Sequence, residues 1–165
     1  MPLISSYLFS LLLFSALSHG KINDFRLNDL DNKSVRYAEL KGNRVTVIDF
    51  WATWCKPCVR SIPKLVQLHD SFKNKGVQFI GINVDGVRNL NKVKPMASSL
   101  GINYPVLLDL NSQVMSDLKV TALPTILLVN EKNEIVARHQ GYRPGDEKIL
   151  AEEIQKLLQP ETPDE

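Results

Sequence analysis

Residues 50–58 read FWATWCKPC, and this stretch determines how the rest of the chain is interpreted. It follows the apolar run 45–48, which predicts a buried β-strand, and it opens a segment whose apolar residues have helical spacing. Both cysteines of the protein, Cys55 and Cys58, therefore lie at a predicted strand-to-helix junction. Unpaired N–H groups and the positive end of a helix dipole stabilise a thiolate at such a junction. A second thiol one turn further on can attack any mixed disulfide that the first one forms, so we interpret the pair as a redox centre.

Two other uses of a cysteine pair fit the sequence less well. A structural zinc site needs about four ligands, whereas His19, His69 and His139 are scattered without the spacing of metal ligands. A purely structural disulfide between Cys55 and Cys58 would close a loop of only about four residues and would restrict the unfolded chain very little. We therefore expect a redox pair with neither a metal nor a cofactor.

The composition is that of a single globular domain. Of the 165 residues, 44% are hydrophobic and 23% are charged, which is ordinary for a folded protein. The net charge is +2 and the lysines form no long basic cluster, so the sequence does not predict nucleic-acid binding.

The N-terminal segment differs from the rest of the chain. Residues 1–20 contain no charged side chain, and the apolar core from Tyr7 to Leu17 is about 11 residues long, too short to span a bilayer comfortably. We interpret residues 1–20 as a signal peptide that is cleaved after Gly20. Because this segment lacks a lysine or arginine near its start, an uncleaved membrane anchor and a buried core segment remain open. Residues 21–159 are then the folded domain, and residues 160–165 are a polar tail.

Apolar periodicity and turn residues predict an alternation of strands and helices after residue 20. The predicted elements are a hairpin (25–27 and 34–37), a helical turn (38–42), a strand (45–50), a helix ending at Gly76, a strand (77–84), a helix (89–100) that Pro95 should kink or delay, a strand (104–108), a helix (112–118), an antiparallel pair (125–129 and 135–139) and a helix (146–158). This order predicts an α/β fold in which a mixed central sheet is flanked by helices on both faces.

From about residue 22 to residue 158 the chain resembles the thioredoxin superfamily, and within it the exported TlpA/ResA-type thiol–disulfide oxidoreductases. Residues 49–58 resemble the active-site strand and turn, and Pro63 matches the proline that kinks the active-site helix. Residues 104–109, YPVLLD, resemble the segment after the helix that this branch inserts, and residues 123–125 resemble the cis-proline turn. The resemblance implies a thioredoxin-like fold with an N-terminal β-hairpin and an inserted helix.

The chemistry of the motif assigns different roles to the two thiols. Cys55, the more N-terminal one, is expected to be the exposed nucleophile, and Cys58, inside the helix, the less exposed resolving thiol. Lys56 adds a positive charge beside Cys55, although it is equally well explained as a solvated turn residue. Pro57 lies in the first helical turn, where its missing N–H costs nothing, and it stiffens the loop.

Asp49 is an acid within an apolar strand, where a carboxylate is costly unless it is paired or protonated. The resemblance implies a buried acid with a raised pKa that accepts the proton of Cys58. A side chain that points outward is the alternative. Many TlpA-type members carry an amide here, and the lysine that partners this acid in thioredoxins is not evident, since Gly81 falls near its position.

The same resemblance implies a substrate-binding loop opposite the thiols. Pro124 is expected to be cis, which leaves the backbone of Leu123 free to pair with an extended substrate and keeps metals off the thiols. Trp54 is expected to flank Cys55 and Trp51 to pack beneath the active-site loop. An ordinary loop proline and ordinary core aromatics are the alternatives.

Two functions remain from different classes. The first is an exported thiol–disulfide oxidoreductase, periplasmic or otherwise extracytoplasmic, that acts as a monomer. The resemblance suggests that it reduces disulfides of exported proteins, such as the haem-site cysteines of apocytochrome c, with electrons from a membrane thiol reductant. The second is a copper or haem chaperone, but copper-delivering relatives use a wider cysteine spacing with a distal histidine. A peroxiredoxin is disfavoured because residues 47–54 lack the Pro and Thr pattern that precedes its cysteine.

Overall fold

Strands and helices alternate along residues 20–159, the part of the chain that the computed structural model describes. The strands are β1 (Arg26–Asp29), β2 (Ser34–Arg36), β3 (Val45–Trp51), β4 (Val77–Asn83), β5 (Val106–Leu108), β6 (Thr125–Asn130) and β7 (Ile135–Gln140). The helices are α1 (Tyr37–Leu40), α2 (Lys56–Phe72), α3 (Leu90–Ser99), α4 (Gln113–Asp117) and α5 (Asp146–Leu157), and a 3-10 turn covers Val87–Asn89.

Two predictions concern chain ends that are not described. The signal segment, apart from Gly20, and the polar tail at 160–165 lie outside residues 20–159. Within the described range, every helix is too short or too polar to cross a membrane.

All seven strands belong to one sheet with the order β2-β1-β5-β4-β3-β6-β7. β3 lies inside this sheet, where it pairs in parallel with β4 and antiparallel with β6. The hairpin β1–β2 is joined to the sheet through the antiparallel pairing of β1 with β5. The predicted mixed α/β sheet is therefore confirmed, and Asp49 in β3 lies opposite Gly81 in β4 and opposite Ile126 in β6.

The two faces of β3 contribute to different hydrophobic clusters, because side chains alternate between the faces of a strand. Val45 and Val47 pack with Leu65 of α2 and with Ile154 of α5. Ile48 and Phe50 belong to the other cluster, which includes Val93 and Ala97 of α3. Helices therefore cover both faces of the sheet, as the pattern of elements predicts.

Helix boundaries differ from the prediction in two places. α2 ends at Phe72 rather than at Gly76, because the chain turns between them: the Gly76 carbonyl accepts the N–H groups of Arg44 (3.0 Å) and Val45 (3.3 Å). Gly76 does have the predicted left-handed conformation, with φ +79°. α3 continues through Pro95, which lies in the middle of the helix (Leu90–Ser99) and removes one backbone hydrogen bond from it.

Candidate active site

The two cysteines lie where β3 leads into α2, and they are joined in a disulfide. Cys55 is the N-cap of α2 with extended backbone (φ −85°, ψ 96°), and Pro57 follows in the first turn, where its missing N–H leaves no hydrogen bond unmade. The backbone N–H of Cys58 donates to the sulfur of Cys55 at 3.2 Å. This donor and the N-terminal end of the 17-residue helix are placed where they favour negative charge on the sulfur of Cys55.

The two cysteines differ in exposure by less than the sequence predicts. Cys58 is fully buried, whereas Cys55 is 5% exposed. The prediction that Cys55 is openly exposed is therefore wrong, whereas the prediction that Cys58 is the less exposed of the two is confirmed. Cys55 lines a groove together with neighbouring residues that include Trp54 and Leu123. Only Cys55 has any surface that a substrate disulfide could reach.

This groove brings together four of the five residues that were predicted to bind substrate, and Pro124 is not among its lining residues. Trp54, Lys56 and Pro57 line it from the active-site turn, and Leu123 lines it from the opposite loop. Trp54 is 63% exposed, so it offers an apolar surface beside Cys55. Five residues that sequence reasoning did not select also line the groove: Val84, Ser112, Met115, Thr121 and Ala122.

The loop opposite the cysteines has the predicted cis bond between Leu123 and Pro124. Pro124 is buried, and its carbonyl accepts the N–H of Gly141 at 2.8 Å. Within residues 20–159, neither the backbone N–H nor the carbonyl of Leu123 makes a hydrogen bond. The backbone of Leu123 can therefore pair with an extended peptide that enters the groove.

Asp49 is buried, with 1% of its surface exposed, so the alternative of an outward-pointing side chain is wrong. The alternation along β3 places its side chain on the face of Val45 and Val47, which α2 covers. Neither carboxylate oxygen has a hydrogen-bond partner among the described residues. Burial raises the pKa of Asp49 from its ordinary value of 3.8 to about 7. The carboxyl group can therefore accept or release a proton near neutral pH.

A second buried acid holds the active-site turn, and sequence reasoning missed it. The carboxylate of Asp85 accepts the backbone N–H of Thr53 at 2.6 Å and the Thr53 hydroxyl at 2.7 Å. The side-chain amide of Asn83 also donates to Asp85 at 2.8 Å. The only signal in the sequence is a pair of polar residues at the end of a predicted strand, which does not reveal their partner.

The histidine that a copper site would need is engaged elsewhere. His139 lies in β7, and its Nε2 is 2.6 Å from a carboxylate oxygen of Glu153 in α5. Residues 20–159 contain no group of three or more histidine, cysteine or acidic side chains arranged to hold a metal.

Comparison with known proteins gives results consistent with this geometry. A family model described as Redoxin matches residues 18–154. The thiol–disulfide oxidoreductase ResA of Halalkalibacterium halodurans is 33% identical over 138 residues, which cover 84% of this chain and 75% of the relative. ResA of Bacillus subtilis is 34% identical over 113 residues, or 68% of this chain and 62% of the relative. A solved structure from Chlorobium tepidum, described as a thiol:disulfide interchange protein DsbE, superposes with a TM-score of 0.77 at 28% identity and covers 84% of this chain and 96% of its own.

Proposed function

Because the chain belongs to the Redoxin family and is a thioredoxin-like thiol–disulfide oxidoreductase, we propose that it reduces disulfide bonds of exported proteins, with the haem-site cysteines of apocytochrome c among its substrates. The observation that carries the proposal is the placement of Cys55 at the N-terminus of α2, beside a groove lined by Trp54 and Leu123. An extended segment bound along Leu123 would bring its disulfide next to Cys55, the more exposed of the two cysteines.

The first step is attack on the substrate. The thiolate of Cys55 attacks one sulfur of the substrate disulfide, the substrate S–S bond breaks, and a mixed disulfide with Cys55 forms. The other substrate sulfur leaves as a thiolate and takes a proton from solvent. The N–H of Cys58 and the helix dipole lower the cost of keeping Cys55 ionised before this attack.

The second step is resolution by the buried thiol. Cys58 transfers its proton to Asp49, and the resulting thiolate attacks the sulfur of Cys55. The mixed disulfide breaks, the substrate leaves as its second thiolate, and the Cys55–Cys58 disulfide forms. Overall, two electrons pass from the protein dithiol to the substrate. A membrane thiol reductant then supplies two electrons to restore the dithiol, and the protein works as a monomer outside the cytosol.

A redox titration tests the direction of electron flow. The Cys55–Cys58 pair is equilibrated against glutathione and dithiothreitol mixtures, and the reduced fraction is measured by mass after alkylation. A reductant should have a potential nearer to that of thioredoxin, about −270 mV, than to that of DsbA, about −120 mV. A potential near that of DsbA, about −120 mV, would contradict the proposed role as a reductant.

A pair of matched peptides tests the substrate. Both peptides are oxidised and have the same composition, but one carries the haem-site spacing Cys-X-X-Cys-His and the other has its cysteines further apart. The reduced protein should be oxidised faster by the haem-site peptide. Equal rates for the two peptides would leave a general disulfide reductant and would contradict the preference for apocytochrome c.

A further inference from the structure

Two parts of the groove beside Cys55, the active-site turn and α4, are attached to the end of β4. On the side of the turn, the Asn83 amide donates to Asp85 at 2.8 Å, and Asp85 accepts two hydrogen bonds from Thr53. On the side of α4, the carbonyl of Asn83 accepts the N–H of Asp109 at 2.9 Å. Asn83, Asp85 and Asp109 are fully buried, so these links are shielded from water. One strand end therefore connects the turn to the segment that leads into α4.

Met115, the third residue of α4, has a backbone that is held on both sides. The carboxylate of Asp109 accepts the N–H of Met115 at 2.8 Å, and the carbonyl of Met115 accepts the N–H of Val120 at 2.9 Å. Met115 is only partly buried: it packs against the hydrophobic cluster that contains Ile48, and it also lines the groove. It therefore offers an apolar side chain to the groove from a fixed backbone position.

The lining of the groove is apolar apart from one charge. Six of its ten lining residues have apolar side chains, and Lys56 is the only one with a charge. Met115 and Val84 belong neither to the active-site turn nor to the cis-proline loop, so they extend the apolar lining beyond those two segments. An aliphatic or aromatic side chain of a substrate gains by burial there, whereas a charged side chain loses water without gaining a partner.

Selection among substrates has to come from such side-chain contacts. The free backbone of Leu123 can bind an extended segment of any sequence, because main-chain hydrogen bonds give affinity and side-chain pockets give specificity. A methionine suits a site that accepts more than one apolar shape. Its side chain is unbranched and flexible, and its polarisable sulfur makes favourable contacts with aromatic rings.

We propose that Met115 is a specificity-determining residue: it binds an apolar side chain that lies close to the reacting cysteine of the substrate, while Leu123 binds the backbone of the same segment. This inference deepens the proposed function, since it rests on a substrate disulfide that reaches Cys55 through the groove. The substrate class is then a disulfide flanked by an aliphatic or aromatic residue. Disulfides flanked only by charged residues react more slowly.

A set of peptide disulfides tests this selection. Each probe is a disulfide-linked dimer of a short peptide that has one cysteine with alanines on both sides, and one alanine at a time is replaced by leucine or by aspartate. The rate at which each probe oxidises the reduced protein is measured for wild type, Met115→Gln, Met115→Lys and Met96→Gln. Hydroxyethyl disulfide serves as a small probe without side chains. Met96 is the matched control, because it is also partly buried and packs against the same cluster but does not line the groove.

The expected result is a change of preference rather than a general loss of rate. In wild type, leucine at the favoured position should raise the rate about tenfold over alanine, which corresponds to burial of roughly two methylene groups. Met115→Gln has nearly the same shape and should lose most of this preference, Met115→Lys should also gain a preference for aspartate, and Met96→Gln should behave like wild type. All variants should react with hydroxyethyl disulfide at the wild-type rate, whereas a purely structural role of Met115 would change every rate together.

A leucine preference that is unchanged in Met115→Gln would overturn the inference. If that variant does not fold, Met115→Lys provides the second measurement, and an unchanged preference for leucine over aspartate would overturn the inference equally. A wild-type protein that reduces neither the peptides nor hydroxyethyl disulfide would instead overturn the proposed function.

Discussion

The carboxylate of Asp85 accepts two hydrogen bonds from Thr53, one from the backbone N–H at 2.6 Å and one from the hydroxyl at 2.7 Å. Asp85 follows β4 and is fully buried, whereas Thr53 lies in the turn that separates β3 from α2. Charge-assisted hydrogen bonds of this length are among the stronger ones in proteins. The end of one strand therefore fixes the position of the turn two residues before Cys55, and with it the start of the active-site helix.

Asp85→Asn should loosen this turn. The amide keeps one accepting oxygen, for which three donors from Thr53 and Asn83 then compete, so at least one donor loses its partner. We expect the free energy of unfolding to fall by about 1–3 kcal/mol. Attack by Cys55 should also slow, because its sulfur is held less well over the groove. Urea unfolding and the rate of mixed-disulfide formation measure the two effects.

Thr53 offers a matched pair of controls for this clamp. Thr53→Ser keeps the hydroxyl donor and should behave like wild type in both measurements. Thr53→Val keeps the shape of the side chain but removes the donor, so it should reproduce part of the Asp85→Asn effect. Equal attack rates for Thr53→Ser and Thr53→Val would show that the hydroxyl does not position the turn.

The buried Asp49 should make the protein less stable as the pH rises. Its folded pKa, about 7, lies above its ordinary value of 3.8, so the folded state binds more protons than the unfolded state between these values. The stability that Asp49 contributes is then fully present below pH 3.8 and is lost as the pH rises through about 7. Over that window the loss is about 4 kcal/mol. Asp49→Asn should remove this loss, so its stabilising effect should be small near pH 4 and largest above pH 7.

Urea unfolding of wild type and Asp49→Asn from pH 4 to pH 8 measures whether the stabilisation by this substitution grows as the pH rises. Asp117→Asn is the control, because Asp117 is exposed and should show no such pH-dependent gain. The same change at Asp49 should slow insulin reduction most near neutral pH and less at alkaline pH, where Cys58 ionises unaided. A stabilisation that is the same at every pH, with an unchanged rate profile, would contradict titration of a buried carboxyl.

Local pattern predicted the elements well because the decisive signals are local. The apolar run before the motif and the spacing of Ile62 and Leu65 define β3 and α2 without further information. The end of α2 was missed because it depends on a long-range contact, in which the carbonyl of Gly76 accepts the N–H groups of Arg44 and Val45 at the start of β3. Periodicity within the helix carries no signal for such a contact.

The site was predicted only where one segment contains the chemistry. Cys55, Cys58 and the buried Asp49 all belong to one stretch, so the sequence and the resemblance were sufficient to select them. Thr53 and Asp85 are 32 positions apart, and their contact depends on the register between β3 and β4. Met115 reaches the groove through the pairing of β4 with β5 in the same way. A single sequence does not specify strand register, so these partners could not be predicted.

The division of labour between the thiols can be tested by trapping. With Cys58→Ser, Cys55 can still attack a substrate, but no second thiol resolves the product, so the mixed disulfide should accumulate. With Cys55→Ser, the remaining Cys58 is fully buried and should trap almost nothing. Non-reducing electrophoresis after incubation with an oxidised substrate measures both variants. Equal trapping by the two variants would contradict the assignment of Cys55 as nucleophile.

The two tryptophans of the motif should differ sharply on truncation. Trp51 is fully buried, so Trp51→Ala should lower the free energy of unfolding by about 3–5 kcal/mol. Trp54 is 63% exposed and lines the groove beside Cys55, so Trp54→Ala should change stability by less than about 0.5 kcal/mol. It should instead raise the KM for peptide disulfides several-fold, because the apolar surface that contacts the substrate is lost. Urea unfolding compares the stability of the two variants, and steady-state kinetics with one peptide disulfide compares their KM values. A stable Trp54→Ala variant with an unchanged KM would mean that substrates bind without contacting this side chain, and that the rest of the groove provides the recognition.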